Sequence, residues 1–186
     1  GVCDGDNSSC DEGCGPNQPA PSGCDNACGS TAEYDVCGDC GGDCDVALSL
    51  TDVSSTHATL SYESNSDISG FQFVVDGVVL TDVDGGSFET SYNAGNGQVV
   101  GFTFGGPPLA AGSGDVAVLS FDETVGGYLL TATESVFVSP SGATLNSKDA
   151  GSVDIPGCAD VDGDNVCDAT DDCVGAYDEC GACNGD

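Results

Sequence analysis

Apolar residues occupy every second position in several short runs across the middle of the chain, and glycine-rich turns separate these runs. Alternation with a period of two predicts β-strands with one buried face, and no segment has the helical period. Eight or nine such strands predict an all-β fold, an antiparallel sandwich over residues 46–153. The predicted inward series are Val46/Leu48/Leu50, Ala58/Leu60/Tyr62, Phe71/Phe73/Val75, Val100/Phe102/Phe104 and Ala117/Leu119/Phe121, followed by the runs 128–130 and 136–138 and a short run around Leu145.

Three stretches of this segment carry a resemblance to a known family. They are ISGFQF (68–73), GFTF (101–104) and AGSGDVAVLSF (111–121), and they resemble cohesin domains and related carbohydrate-binding sandwiches. The resemblance implies a cohesin-like jelly roll that binds a polysaccharide or a dockerin-like partner. Because the matching positions belong mainly to strands and loops, they indicate fold more strongly than function.

The two flanking segments differ from the centre in composition. Residues 1–45 and 154–186, named here the N-terminal and C-terminal arms, hold 20 of the 32 acidic residues and all thirteen cysteines. The CxxC pairs at 37–40 and 180–183 have zinc-site spacing, but the crowding of further cysteines favours disulfides and an oxidising, extracellular setting. The odd count leaves one thiol free, or paired outside this chain. The predicted disulfide residues are Cys3, Cys10, Cys14, Cys24, Cys28, Cys37, Cys40, Cys44, Cys158, Cys167, Cys173, Cys180 and Cys183.

The formal charge of −31 excludes several classes of partner. Nucleic acids and anionic membrane surfaces require clustered basic residues, and Lys148 is the only Lys or Arg in the chain. No apolar run reaches the roughly 18 residues of a membrane-spanning helix, so we expect no membrane insertion. Charge of this size opposes a compact fold unless counter-ions screen it, and divalent cations are the expected remedy.

The sharpest motif is DVDGDNVCDATD, residues 160–171. Its acids stand at positions 1, 3, 5, 9 and 12 of a twelve-residue loop, which is a spacing that wraps carboxylates around calcium. Unlike an EF-hand, it has no helical flanks and ends in Asp. It therefore resembles a thrombospondin type 3 repeat, in which disulfides hold calcium loops. The resemblance assigns ligand roles to Asp160, Asp162, Asp164, Asp168 and Asp171, with Val166 binding through its carbonyl. With its carbonyl on the ion, the Val166 side chain can pack inward.

A weaker copy of this loop lies near the start of the chain. Asp4 and Asp6 belong to a DGDN sequence that also occurs at 162–165, and they are candidate calcium ligands. Asn7 begins an Asn-Ser-Ser glycosylation pattern. A glycan on Asn7 would compete with calcium binding in the same loop.

Catalytic signals are weak throughout the sequence. His57 is the only histidine, and strand alternation places it towards solvent. No nucleophile-elbow sequence supports acyl transfer, and the absence of Trp and Arg from the sandwich argues against a sugar-cleaving cleft. We therefore expect no enzymatic activity.

One ten-residue sequence occurs twice. YDVCGDCGGD at 34–43 and YDECGACNGD at 177–186 match at seven positions. Such repetition favours a structural repeat unit of an extracellular fibre, in which copies join head to tail and calcium and disulfides stiffen the arms. The alternative is a binding module in which the sandwich recognises a polysaccharide or a dockerin-like protein and the arms are spacers.

Overall fold

The computed structural model describes Cys14 and residues 19–185, and it confirms the all-β antiparallel fold class. Among the described residues, no helix is long and apolar enough to cross a membrane. The strands are β1 Pro21–Ser22, β2 Ala27–Cys28, β3 Val46–Thr51, β4 His57–Ser64, β5 Gly70–Asp76, β6 Leu80–Asp84, β7 Glu89–Asn93, β8 Gln98–Phe102, β9 Gly112–Phe121, β10 Tyr128–Val138, β11 Thr144–Leu145, β12 Ser147–Lys148 and β13 Gly151–Ile155.

Two sheets form the sandwich. The first has the order β12-β3-β4-β9-β6, and the second has the order β11-β10-β5-β8-β7 with β13 also paired to β10. Every pairing is antiparallel except that of β12 with β3. The first strand of the sandwich, β3, begins at Val46, and its last strand, β13, ends at Ile155.

The core lies between the sheets and is built from the alternating positions. Strands β4, β5 and β9 turn their predicted apolar series inward, while Leu48 and Leu50 of β3 are partly buried against the core. The largest fully buried side chains are Phe73, Phe137, Leu60, Ile68, Leu119, Leu130, Val46, Val99 and Val116. Burying side chains of this size supplies the main driving force for the fold.

The predicted series Val100/Phe102/Phe104 is wrong in phase. Val99 is fully buried, whereas Phe102 and Phe104 are 40% and 73% exposed. The inward neighbour of Val99 is Gly101, where an added Cβ would lie 2.3 Å from the ring of Phe71. The Phe71 ring fills the space that a side chain at position 101 would otherwise take, and Val100 and Phe102 of β8 lie on the outer face.

Strand β10 contains both of the predicted apolar runs 128–130 and 136–138. Its pairing with β5 shifts register between Thr133 and Val136, and Glu134 within this bulge has a φ of 54°. Ala132 and Phe137 are five residues apart, so without an extra residue they would face opposite sides of the sheet. The bulge corrects the phase and keeps both side chains in the core.

Candidate functional site

The N-terminal arm is held by disulfides rather than by a core. Within its described residues, its bonds are Cys14–Cys28, Cys24–Cys40 and Cys37–Cys44, and its only strands there are the two-residue β1 and β2. The first two bonds close loops with sequence separations of 14 and 16. A closed loop of about 15 residues removes roughly 3 kcal/mol of unfolded-state freedom.

The C-terminal arm has two disulfides, Cys158–Cys167 and Cys173–Cys183. Cys167 and Cys173 are buried and form the interior of this arm. Cys180, which the sequence analysis placed with the bridged cysteines, is exposed and unpaired within the part of the chain that the structure describes. Cys3 and Cys10 lie outside the described residues, as do Asp4, Asp6 and Asn7 of the predicted second calcium loop.

Three of the predicted calcium ligands lie together. Carboxylate oxygens of Asp160, Asp162 and Asp164 lie within 4.8 Å of one another. Backbone N–H groups hold these carboxylates in place: Gly163 donates to Asp160 at 2.8 Å, and Val166 donates to Asp164 at 2.8 Å. The loop can turn this tightly because Gly163 and Asn165 have φ values of 76° and 69°.

The other predicted ligands are not part of this group. Asp168 accepts a hydrogen bond from the Val161 N–H at 2.9 Å, and the Val166 side chain is 40% exposed rather than packed inward. Cys167 occupies the interior instead, because its disulfide to Cys158 draws it in. The loop therefore brings together the acids at positions 1, 3 and 5 but not the more distant ones.

One oxygen of Asp171 is unusual. Its Oδ1 accepts a hydrogen bond from the Cys173 N–H at 2.8 Å, but Oδ2 is buried and has no hydrogen-bond partner. A buried carboxylate oxygen without a donor or cation is costly, so it fits a site where a cation supplies the missing contact. Clustered hard oxygen donors are also the donor set that calcium prefers, and the residues present thus fit this ion.

A second cluster does not fit a metal. An oxygen of Glu123 and the sulfurs of Cys158 and Cys167 lie within 4.8 Å of one another, but the two sulfurs form a disulfide and cannot act as thiolate ligands. Glu123 accepts a hydrogen bond from Ser55 Oγ at 3.1 Å, and the Cys158 N–H donates to the Thr124 carbonyl at 3.1 Å. The bond between Cys158 and Thr124 fixes the start of the C-terminal arm to the sandwich.

The repeated sequence folds into the same turn at both ends of the chain. A backbone bridge joins Tyr34 to Cys40 in the first turn (34–44), and another joins Tyr177 to Cys183 in the second turn (177–185). In the first turn, Asp35 Oδ1 accepts hydrogen bonds from the backbone two and four residues ahead, at 3.0 and 2.9 Å. In the second, Asp178 Oδ1 accepts the equivalent two bonds, both at 2.8 Å.

The first turn packs directly on the edge of the sandwich. Asn146 Nδ2 donates to the Asp43 carbonyl at 3.0 Å, and the Asn146 N–H donates to Asp45 Oδ2 at 3.0 Å. Lys148 Nζ donates to the Cys37 carbonyl at 3.3 Å, so the one basic side chain of the protein binds the arm to the sandwich. Backbone N–H donors from Asp39 and Cys44, and to a smaller extent from Cys37, hold the pKa of Asp35 below its ordinary value, and the positive charge of Lys148 lowers it further.

The outer face of the second sheet is apolar where β10, β5 and β8 lie side by side. One cross-strand row runs Val138, Gly70, Phe102, and the next runs Val136, Gln72, Val100. Phe104 follows β8 and meets the Phe102 ring edge-on, with centroids 4.7 Å apart. This surface, named here the outer apolar face, is a product of the unexpected phase of β8.

Comparison with solved structures finds cohesin modules. The chain is similar to a structure described as a type I cohesin–dockerin complex from Clostridium thermocellum, with 19% identity, a TM-score of 0.46, and coverage of 69% of this chain and 97% of that one. It is also similar to a non-cellulosomal cohesin from Archaeoglobus fulgidus, with 14% identity, a TM-score of 0.46, and coverage of 60% and 91%. No protein-family model and no curated protein matches the sequence. At these identities and TM-scores, the similarities carry no argument about function.

The loop before β4 brings the histidine next to a serine and an aspartate. His57 Nδ1 lies 2.7 Å from Ser54 Oγ, and His57 Nε2 lies 3.6 Å from an oxygen of Asp52. Ser54 Oγ also accepts the backbone N–H groups of Thr56 and His57, at 3.2 and 3.0 Å. The serine therefore closes a local turn, and the Asp52 side chain is 81% exposed. These contacts have a structural explanation within the loop.

Sequence reasoning missed two features of the arms and sandwich. The docking of the first turn on Asn146 and Lys148 joins positions more than one hundred residues apart, and no local pattern reports such a contact. The outer apolar face could have been found from Gly101, because a glycine on the inward side of a strand signals close approach of a neighbour.

Proposed function

We propose that this chain is a non-catalytic structural unit of an extracellular assembly, in which the sandwich is a rigid body and the arms are stiff joints. The observation that carries the proposal is the pair of equivalent turns at the two ends, each built around one aspartate. The two turns have the same hydrogen bonds although Asp35 and Asp178 are 143 residues apart in the sequence. Such a recurrence is typical of modular repetition rather than of a single active site.

The attachment of the first turn supports a stiff joint. The Asp45 N–H donates to the Asn146 carbonyl at 2.8 Å while Asp45 Oδ2 accepts the Asn146 N–H at 3.0 Å. Together with the contacts of Asp43 and Lys148, these bonds bind the arm to the start of the first sheet. An arm held at several points cannot swing freely about the single covalent connection at Val46.

Calcium is the proposed stiffening ion of the C-terminal arm. Asp160, Asp162 and Asp164 would hold it, and the buried Oδ2 of Asp171, which has no hydrogen-bond partner, is a second oxygen of the same twelve-residue loop that a cation would satisfy. When bound, the ion supplies positive charge among carboxylates that otherwise repel one another. Five disulfides among the described residues support an oxidising, extracellular location for the same unit.

A protein of four copies joined head to tail tests this proposal by electron microscopy. In calcium, the sandwiches should appear as globules at a regular spacing. Chelation with EGTA should widen the distribution of spacings, because the acidic loop then loses its counter-ion. Spacings as irregular in calcium as in EGTA would refute the structural role of the arms.

The outer apolar face supports a second candidate, a protein-binding module. Phe102 and Val136 are 40% and 43% exposed, and they lie in neighbouring rows of one continuous face. Exposed apolar patches of this kind are typical of protein–protein interfaces. A cohesin–dockerin complex is among the similar structures, so a dockerin-like module is the partner to test, although the argument comes from the exposed face alone.

Titration of the full chain with a type I dockerin module, followed by calorimetry, tests the second candidate. Binding that the double variant Phe102→Ser and Val136→Ser abolishes would support it. Ser49→Ala on the outer face of the first sheet is the matched surface control. No heat with the unaltered chain, or equal binding by the double variant, would contradict a dockerin-like partner at this face.

A further inference from the structure

Strand β3 lies near one edge of the first sheet and is only partly covered there. The two-residue β12 pairs with Val46 and Ala47, and among the described residues no strand lies beside 48–51 on that side. The Val46 N–H donates to the Asn146 carbonyl at 3.0 Å, away from β4. Because backbone groups alternate between the two sides of a strand, the N–H and C=O of Leu50 point to the same open side.

The burial of the β3 side chains agrees with an open edge. Leu48 and Leu50 point towards the core but are only partly buried, whereas Leu60 of the neighbouring β4 is fully buried. Ser49 and Thr51, on the other face of β3, are exposed. An additional strand beside β3 would therefore cover two leucines on one face and lie next to hydroxyl groups on the other.

The remaining edge strands are less suited to pairing. Tyr92 Oη donates to the Thr81 carbonyl, and Thr90 Oγ1 donates to the Val83 carbonyl at 3.1 Å, so side chains of β7 occupy two backbone acceptors of β6. Charged residues on an edge oppose the addition of a strand. The acidic residues on β6, β7 and β13 are Asp82, Asp84, Glu89 and Asp154.

Charge distinguishes β3 as a place where two copies of this chain can meet. The net charge of −31 opposes self-association, but residues 46–51 carry no charged side chain. Asp45, just before β3, already accepts the Asn146 N–H. At the two ends of the open segment stand charges of opposite sign: Lys148 beside the start of β3, and the exposed Asp52 directly after its end.

We propose that a second copy of this chain pairs with β3 through its own β3, in an antiparallel dimer with a two-fold axis between the two strands. Such a contact requires a surface that complements itself. In this arrangement the end of each β3 lies beside the start of the other, so Asp52 of each copy approaches Lys148 of the other. Leu48 and Leu50 of the two copies then cover one another, and the Leu50 backbone groups gain partners.

The dimer joins two five-stranded sheets side by side. It goes beyond the proposed structural function, because it requires neither calcium nor the C-terminal arm. Lys148 is exposed, and its ammonium group has further donors besides the one that binds the Cys37 carbonyl. The attachment of the N-terminal arm is therefore compatible with the pairing.

Sedimentation equilibrium of the full oxidised chain, over a concentration series up to about 1 mM, measures the self-association. We expect a monomer–dimer equilibrium that strengthens as salt rises from about 0.05 to about 0.5 M, because salt screens the repulsion between two acidic chains. Hydrogen exchange in the same samples reports the place of contact. The Leu50 amide should gain protection as the concentration rises, while the Ser49 amide, which faces β4, should be protected at every concentration.

Two variants that each remove one negative charge separate this contact from general repulsion. Asp52→Asn should weaken the dimer about fivefold, because two exposed ion pairs with Lys148 are lost. Its backbone φ of 45° is one that Asn also tolerates. Asp82→Asn, on β6, should leave the dimer unchanged or strengthen it slightly, since it only lowers the net charge. Equal effects of the two variants would overturn the assignment of Asp52.

Other outcomes would overturn the proposal as a whole. A chain that stays monomeric throughout the series would show that the β3 edge does not pair. A dimer in which the Leu50 amide gains no protection would place the contact elsewhere, for example at the outer apolar face. Neither result affects the expected calcium response of the arms, so the proposed structural function is tested separately.

Discussion

Replacing Asp164 with Asn should change the stability of the C-terminal arm in opposite directions with and without calcium. The substitution removes one charge from the group formed by Asp160, Asp162 and Asp164. It preserves the shape of the loop, because an Asn oxygen can still accept the Val166 N–H that Asp164 accepts at 2.8 Å. Any change in the stability of the arm therefore comes from the lost negative charge and not from a lost hydrogen bond to the backbone.

The expected magnitude follows from the spacing of the carboxylates. Oxygens within 4.8 Å of one another repel by about 0.9 kcal/mol per pair at the dielectric constant of water. Asp164 takes part in two of the three pairs, so its neutralisation relieves about 2 kcal/mol, or about half of that at physiological salt. Without calcium, the variant loop should be the more stable one. With calcium, it should bind the ion at least tenfold more weakly, because one anionic ligand is lost.

Hydrogen exchange of peptides from 158–175, measured in EGTA and in calcium, checks the change of sign. A relief of about 1 kcal/mol slows exchange about fivefold in EGTA. Calorimetric titration gives the calcium affinity, and Asp172→Asn is the matched control because Asp172 lies outside the cluster. A change of the same sign in both buffers, or no binding heat from the unaltered chain, would refute the reasoning.

Three further predictions concern the fold and the N-terminal arm. Gly101→Ala should destabilise the sandwich by about 1–3 kcal/mol in denaturant unfolding, because its Cβ would overlap the Phe71 ring, whereas Gly106→Ala, with open space around it, should have little effect. Reduction with dithiothreitol should expose the arms to protease while it shifts the melting temperature of the sandwich by only a few degrees, since the sandwich core contains no cysteine. Unfolding of the sandwich together with the arms on reduction would contradict this. The pKa of Asp35 is lowered in the folded protein, so its contribution to the stability of the first turn is complete above the pKa of the unfolded chain. That contribution is lost as the pH falls through the pKa of the folded state, which lies below 3.8. Hydrogen exchange of the Cys37 and Cys44 amides should therefore lose its protection first in this pH range. Protection that does not change with acid would contradict the prediction.

The strands of the sandwich follow largely from the sequence because burial imposes a simple period. Leu60, Phe73 and Leu119 belong to predicted inward series, and each is fully buried. The series in β8 has the opposite phase because the packing of Phe71 over Gly101 outweighs the alternation of larger side chains. Strand β7 gives no apolar signal, since it pairs only with β8 at the edge and its residues are mostly exposed.

The arms are less predictable because they have no period and no core. The carboxylates of Asp160, Asp162 and Asp164 lie together because these positions are close along the chain, and calcium binding by them stays a prediction. The placement of Asp168 and Asp171 could not be predicted, because it depends on how the Cys158–Cys167 disulfide bends the loop. Disulfide connectivity cannot be read from cysteine spacing. The equivalence of the two turns was visible as sequence, but the hydrogen bonds that build each turn around Asp35 or Asp178 emerged only from the structure.

Small-angle X-ray scattering of the full oxidised chain, in calcium and in EGTA at equal ionic strength, tests the stiffening role of the ion most directly. The account predicts a compact, well-defined distance distribution in calcium, and a larger maximum dimension in EGTA as the C-terminal arm loosens. Scattering curves that superimpose in the two buffers would contradict it.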